Sequence, residues 1–255
     1  MLNLPFDLYP ILIALSILID RILIEVYFRK NRLGKNNAIA FELNLVIAAF
    51  RGVIGGILRQ NLYDFIENPK NYRFTWARTF FGGLLFGAGS FLIGYFLIIR
   101  KKYPQSLSPI LTLAGACIPL SHGIGRIGCV LDGCCYGKEI PSSSPFYLMG
   151  IKFNTTSTKV YPTNLFESVF LLLLASILLY LAFKKHSQYT LPIYRISYGI
   201  FRFLIEFLRG DHRGSFIPGI SPSQFWAILL LIGGIVYLSI LLFRAKKKNS
   251  QKPSK

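Results

Sequence analysis

The sequence predicts an all-α membrane protein with seven transmembrane helices and extracytoplasmic loops that form a small head. Three observations predict it. Hydrophobic residues make up 53% of the 255 residues and only 16% are charged, a composition unlike that of soluble domains. The apolar runs are too long for barrel strands, so the backbone must be satisfied inside helices. Basic residues gather after alternate runs, the pattern of cytoplasmic loops.

The runs cover about residues 6–28, 38–58, 79–99, 107–124, 163–183, 190–208 and 222–243. The first begins without a basic region, has no small-residue cleavage site and carries Asp20, Arg21 and Glu25 near its end. It therefore does not read as a cleaved signal peptide. The second holds Glu42 and Arg51, which need partners, as does Arg21. Arg51 is followed by Gly52, Gly55 and Gly56, which suggests close helix packing or a head-group contact. The third, 79–99, is plainly apolar. The fourth is interrupted by Pro109 and Pro119; a broken helix at membrane depth is tolerated where its freed backbone lines a cavity.

The fifth run opens on Tyr161-Pro162-Thr163-Asn164-Leu165-Phe166-Glu167. Thr163 or Asn164 is expected to cap it, with Glu167 in its first turns, where negative charge is favoured. The sixth carries Arg202 and Glu206, four apart and so on one helix face within ion-pair reach. The seventh ends in a short polar tail expected to be disordered. No internal repeat or linker is visible. Residues 1–245 read as one membrane domain and 246–255 as a basic cytoplasmic tail.

Arg29, Lys30, Arg32 and Lys35 follow the first run, and Arg100, Lys101 and Lys102 the third. Lys184 and Lys185 follow the fifth, and Arg244, Lys246, Lys247 and Lys248 the seventh. This places the N-terminus outside and the C-terminus in the cytoplasm. The net charge of +18 is thus spread over loops on one side, which argues for anionic membrane lipids and against nucleic acid as the partner. The opposite loops run over about 59–78, 125–162 and 209–221. In the longest, Pro141-Ser142-Ser143-Ser144-Pro145 reads as turn. Tyr147 to Phe153 reads as a short strand or an interfacial segment.

Polar groups are costly near lipid and are functional candidates by default. They concentrate in the window from Ser121 to Gly137. Arg126 follows a Gly-Ile-Gly turn, where backbone can approach a ligand and a guanidinium fork matches phosphate oxygens; the plain alternative is an arginine snorkelling to the interface. His122, four residues earlier, is either a general base or a hydrogen-bonded interfacial histidine. Arg202 and Glu206 form part of a site or a structural pair locking helices. Glu167 is as readily structural as catalytic. Cys117 reads as apolar filler. Cys129, Cys134 and Cys135 pack, pair as a disulfide, or hold a metal with His122. Their C-x4-C-C spacing lacks paired C-x2-C halves, so no metal and no cofactor is expected.

Taken together, these residues resemble the prolipoprotein diacylglyceryl transferase family over most of the chain. The likeness rests on Gly125-Arg126-Ile127-Gly128 closed by Gly137, and on Tyr161 to Glu167. It continues in Tyr198-Gly199-Ile200-Phe201-Arg202-Phe203-Leu204-Ile205-Glu206-Phe207 and Ser221-Pro222-Ser223-Gln224. The resemblance implies a multi-pass protein of the bacterial cytoplasmic membrane. It would move the diacylglyceryl group of phosphatidylglycerol to the lipobox cysteine thiol in the signal peptide of a preprolipoprotein, the first step of lipoprotein maturation. Arg126 then corresponds to the head-group arginine, and Arg202 and Glu206 to the essential arginine and acid of the sixth span. Gly125, Gly128, Cys129, Asp132, Gly137, Asn164 and Glu167 are expected to help bind substrate.

Two departures stand out. The family's Ser-Phe-His-Gly-Gly is here Thr79-Phe80-Phe81-Gly82-Gly83, so Phe81 holds the place of a functional histidine. Cys129, Asp132 and Cys134 replace two asparagines and a glutamate of the signature loop. His122 is expected to take over the base role, with Arg126, Arg202 and Glu206 facing one cavity open to the outer leaflet. The competing readings are a divergent paralogue acting on another thiol or lipid, and a non-catalytic lipid-binding or transport protein on the same scaffold.

Overall fold

The computed structural model describes residues 8–76, 80–102, 107–185, 187–210 and 219–250. Thr79, His186, Asp211, His212 and residues 251–255 lie outside them, as does the side chain of Phe81. The long helices are α1 (Leu8–Lys30), α2 (Lys35–Glu67), α3 (Phe80–Gly94), α5 (Leu107–Leu131), α6 (Thr163–Lys184), α7 (Thr190–Ile205) and α8 (Pro222–Ser250). A π turn, Tyr95–Ile99, carries α3 into the short α4 (Arg100–Lys102). Among the described residues four segments are long and apolar enough to cross a membrane: Lys35–Ile66, Leu107–Leu131, Thr163–Lys184 and Pro222–Lys248. Large apolar side chains such as Phe50, Ile66, Leu173 and Phe243 stand exposed on these helices, which suits a hydrocarbon solvent.

The chain forms two compact units, residues 21–106 and residues 1–20 with 107–255. In the first, α2 meets α3 through glycines. A Cβ on Gly52 would lie 2.9 Å from the Gly83 carbonyl oxygen and 3.3 Å from the Gly87 Cα. Backbones come this close because small residues let them, the main source of helix association in lipid. Arg51 uses the same interface and donates to Ser90 Oγ at 3.0 Å. Arg21 finds Glu42 at 3.4 Å. Phe41 joins the helices, edge-on to Phe91 at 5.4 Å and tilted on Phe28 at 5.7 Å.

In the second unit α5, α6, α7 and α8 pack around Ala116, Leu171, Leu174, Leu178, Tyr194 and Tyr198. Ser168 Oγ donates to the Gly123 carbonyl at 2.9 Å, tying α6 to α5. Thr190 Oγ1 donates to the Thr112 carbonyl at 2.6 Å, tying α7 to α5. Ser121 Oγ reaches Asp20 at 2.5 Å, which gives that acid of α1 a partner.

Several sequence expectations are corrected. The window at 125–131 is helix rather than the opening of a loop, because α5 runs on to Leu131. Arg126 is therefore helical and no Gly-Ile-Gly turn precedes it. Pro119 lies within α5 without ending it, and its ring is buried. The second run extends to Glu67, past the expected 58. Neither Thr163 nor Asn164 caps α6; Pro162 occupies the N-cap and makes no side-chain bond. The polar stretch after Phe243 stays helical to Ser250. Tyr147–Met149 is a 3-10 turn, and Ile151 forms only an isolated bridge with Val160.

The segment between α5 and α6 has a core of its own. Ile140, Phe153 and Val160 are buried, and Tyr136 stacks on Phe153 at 5.5 Å. Backbone bonds link Lys138 to Leu208 and to Tyr161 at 2.7 and 3.0 Å. Gly137 sits in this knot, where a Cβ would collide with the Leu208 carbonyl. Its glycine is thus explained by close backbone approach.

Candidate active site

Glu167 is the centre of the site. It lies on the second turn of α6 and its side chain is 0% exposed. A charge so buried needs partners, and two helices, α5 and α7, supply them. From α5, Arg126 Nη2 donates to Glu167 Oε1 at 3.2 Å, while Nε lies 3.0 Å from Oε2 outside hydrogen-bond alignment. His122 sits one turn earlier, its Nε2 3.7 Å from Oε1. From α7, the Tyr198 hydroxyl donates to Oε1 at 2.6 Å and Arg202 Nη1 approaches Oε2 at 3.9 Å. The His122 ring meets Tyr198 edge-on at 5.2 Å.

The spacings make this possible. His122 and Arg126 are one helical turn apart, as are Tyr198, Arg202 and Glu206, so each set shares a face. The network continues from Arg202 to Glu206 at 3.0 Å and from Arg202 to Ser223 Oγ at 2.9 Å. Glu206 Oε1 accepts from Ser221 at 2.9 Å, and Arg209 Nε stands 3.9 Å from Oε2. Ser223 lies in the first turn of α8 and Ser221 just before it, so four elements meet here.

Of the residues singled out in the sequence, His122, Arg126, Glu167, Arg202 and Glu206 come together in one network. Asn164 lies beside it, fully buried. It donates to the Cys129 and Cys134 carbonyls at 3.2 and 2.8 Å, holding the turn after α5. Gly125 faces open space, whereas Gly128 is buried within α5 and Gly137 within the backbone knot. Asp132 is exposed just beyond α5. Sequence reasoning missed the Glu167 hub and the roles of Tyr198, Arg209, Ser221 and Ser223. Tyr198 had a usable signal, since it lies four residues before Arg202.

The three clustered cysteines are free and half-buried. The Cys135 thiol is held down at about 5, chiefly by its hydrogen bond with Cys129 and further by Arg126, despite burial. Burial foremost pushes the Cys134 thiol up.

Long helices with exposed apolar surfaces, closed around a buried carboxylate and its arginines, define a polytopic membrane protein with a buried ionic site. The comparisons with known proteins say which. The profile described as prolipoprotein diacylglyceryl transferase matches residues 1–240, and the chain belongs to that family. It is 34% identical over 247 residues to the phosphatidylglycerol–prolipoprotein diacylglyceryl transferase of Clostridium tetani, covering 92% of this chain and 93% of that one. It is 33% identical over 211 residues to transferase 2 of that name from Clostridium perfringens, covering 81% of each. The Campylobacter curvus transferase is 30% identical over 212 residues, covering 76% of this chain and 72% of that one.

Proposed function

We propose that this protein transfers the diacylglyceryl group of phosphatidylglycerol to the lipobox cysteine thiol of a preprolipoprotein. One observation carries the mechanism. Arg126 Nε and Arg202 Nη1 are buried and, among the described residues, have no aligned hydrogen-bond acceptor. Buried donors of this kind call for an acceptor, and phosphate oxygens match guanidinium forks. The phosphodiester of the donor lipid supplies them.

In the reaction the acceptor thiol gives its proton to His122. The sulfur attacks the glycerol carbon of the diacylglyceryl group, and a C–S bond forms as the C–O bond to phosphate breaks. Glycerol phosphate leaves with the bonding electrons, and Arg126 and Arg202 stabilise its charge. Glu167 keeps both arginines aimed, and Glu206 with Ser223 orients Arg202. The deciding experiment is complementation of a strain depleted of its own diacylglyceryl transferase, read by lipoprotein mass. Growth with diacylglyceryl-modified lipoprotein is expected; unmodified preprolipoprotein at normal expression overturns the assignment.

His122 is the proposed base because it stands beside both arginines' carboxylate partner. His122→Gln keeps a polar side chain but removes the imidazole that accepts the proton. Transfer to a lipobox peptide should fall about 100-fold or more in this variant and in His122→Ala. Full activity in both eliminates this role.

We further propose seven spans in the bacterial cytoplasmic membrane, with residues 1–245 as the transferase domain and 246–255 as its cytoplasmic tail. The segment between α5 and α6 is then the extracytoplasmic head, next to the site where a secreted substrate arrives. The alternation of basic loops supports this orientation. A reporter fused after Lys255 should be active only in the cytoplasm; activity confined to the outer side contradicts the topology.

A further inference from the structure

Cys129, Cys134 and Cys135 bring three sulfur atoms within 4.8 Å of one another. We propose that they form a trithiolate site for a soft, thiophilic metal ion such as Zn2+, at the rim of the ionic network. The inference stands apart from the transferase reading and does not depend on it.

The dimensions suit the ligand set. Zinc–sulfur bonds of about 2.3 Å in a tetrahedral or trigonal site place sulfurs about 3.8–4.0 Å apart. The separation, within 4.8 Å, needs at most ~1 Å of closure to reach that spacing. Three cysteines without oxygen ligands select soft ions over magnesium or calcium. The fourth position is left for water or another ligand.

The backbone places these sulfurs. Cys134 N donates to the Cys129 carbonyl at 3.0 Å, closing the turn that ends α5. Gly133 and Cys135 then take left-handed conformations, with φ of 63° and 60°. Such a φ is uncommon outside glycine, and here it folds the adjacent pair Cys134–Cys135 back toward Cys129. Buried groups of α6 hold the turn. Asn164 grips the Cys129 and Cys134 carbonyls, and Thr163 Oγ1 donates to the Cys135 carbonyl at 3.2 Å. This is the kind of supporting shell that orients ligands at a metal centre.

The electrostatics agree. A divalent ion with three thiolates carries one net negative charge. Arg126 and Arg209 both favour negative charge at Cys135. The cysteines are half-buried rather than sealed, so an ion can enter. The spacing in sequence hid the site, because the third ligand comes from a left-handed residue next to the second.

The test uses the full chain, purified in detergent under reductant without chelator, with Zn2+ and Cd2+ as probes. Wild-type protein should retain one Zn2+ per chain by elemental analysis and show a sulfur-to-cadmium charge-transfer band with Cd2+. Cys129→Ser and Cys135→Ser should each weaken Zn2+ binding about 100-fold or more, and Asn164→Ala about 10–100-fold. Cys117→Ser, remote from the cluster, should bind as wild type. The wild-type band needs no variant, so misfolding of a mutant does not blunt the test. Absence of that band, or its persistence in both serine variants, overturns the site. So does protein isolated with the two-hydrogen mass loss of a disulfide among these cysteines.

Discussion

Arg126→Ala should cut lipid transfer about 100- to 1,000-fold while the protein stays helical and membrane-inserted. The side chain places a fork beside a buried carboxylate and keeps an aligned acceptor for only part of it. Losing one preorganised donor to developing charge costs about 2.7–4 kcal/mol of transition-state stabilisation, or roughly 100- to 1,000-fold in turnover. The fold should survive, because Glu167 retains the Tyr198 hydroxyl at 2.6 Å and Arg202 at 3.9 Å. Arg126→Lys keeps the charge without the fork and should fall between the two. Purified variants, assayed by peptide mass and checked by circular dichroism, decide the matter. Wild-type turnover in Arg126→Ala removes its phosphate role.

Glu167→Ala should have the largest effect on stability. It leaves Arg126 and Arg202 facing each other in a buried place without the carboxylate between them. Breaking a buried ion pair from one side costs about 3–5 kcal/mol, and the Tyr198 hydroxyl loses its acceptor as well. The unfolding midpoint in detergent should drop clearly below wild type. Arg126→Ala combined with Glu167→Ala should be less harmful than the two singles summed, by about 1–3 kcal/mol. Additive losses, or a wild-type midpoint for Glu167→Ala, would show that the hub does not hold the helices.

The two predictions separate roles that one alanine scan would merge. Arg126 is expected to lose turnover with little loss of fold, and Glu167 to lose both. The difference follows from burial, since Glu167 has 0% side-chain exposure and Arg126 has 18%. Glu167→Ala strands two cations at once, Arg126 and Arg202, whereas Arg126→Ala leaves the sealed carboxylate with Arg202 and the Tyr198 hydroxyl.

Much of this was readable from the residues alone. The apolar runs announced the helices, and the start of α6 at Thr163 and of α8 at Pro222 agree with the run boundaries. The i, i+4 spacing announced the Arg202–Glu206 pair, found at 3.0 Å. These features are local, because length, periodicity and spacing along one helix suffice. The end of α5 was misread because glycines weaken helix propensity. Packing against α6 holds this end of the helix, where Ser168 donates to the Gly123 carbonyl and Asn164 to that of Cys129.

The sequence by itself determined the class of protein, the order of its helices and the residue types that bear charge in them. Which charges meet was decided by tertiary structure. Glu167 is on α6, His122 and Arg126 are on α5, and Tyr198 and Arg202 are on α7. No spacing within one helix reveals that these faces converge. The same holds for the three cysteines, gathered by a left-handed turn and the buried side chain of Asn164. Burial supplies the physical reason: a carboxylate removed from solvent requires compensation from whatever lies within a few ångströms, and only the packed helices set what that is.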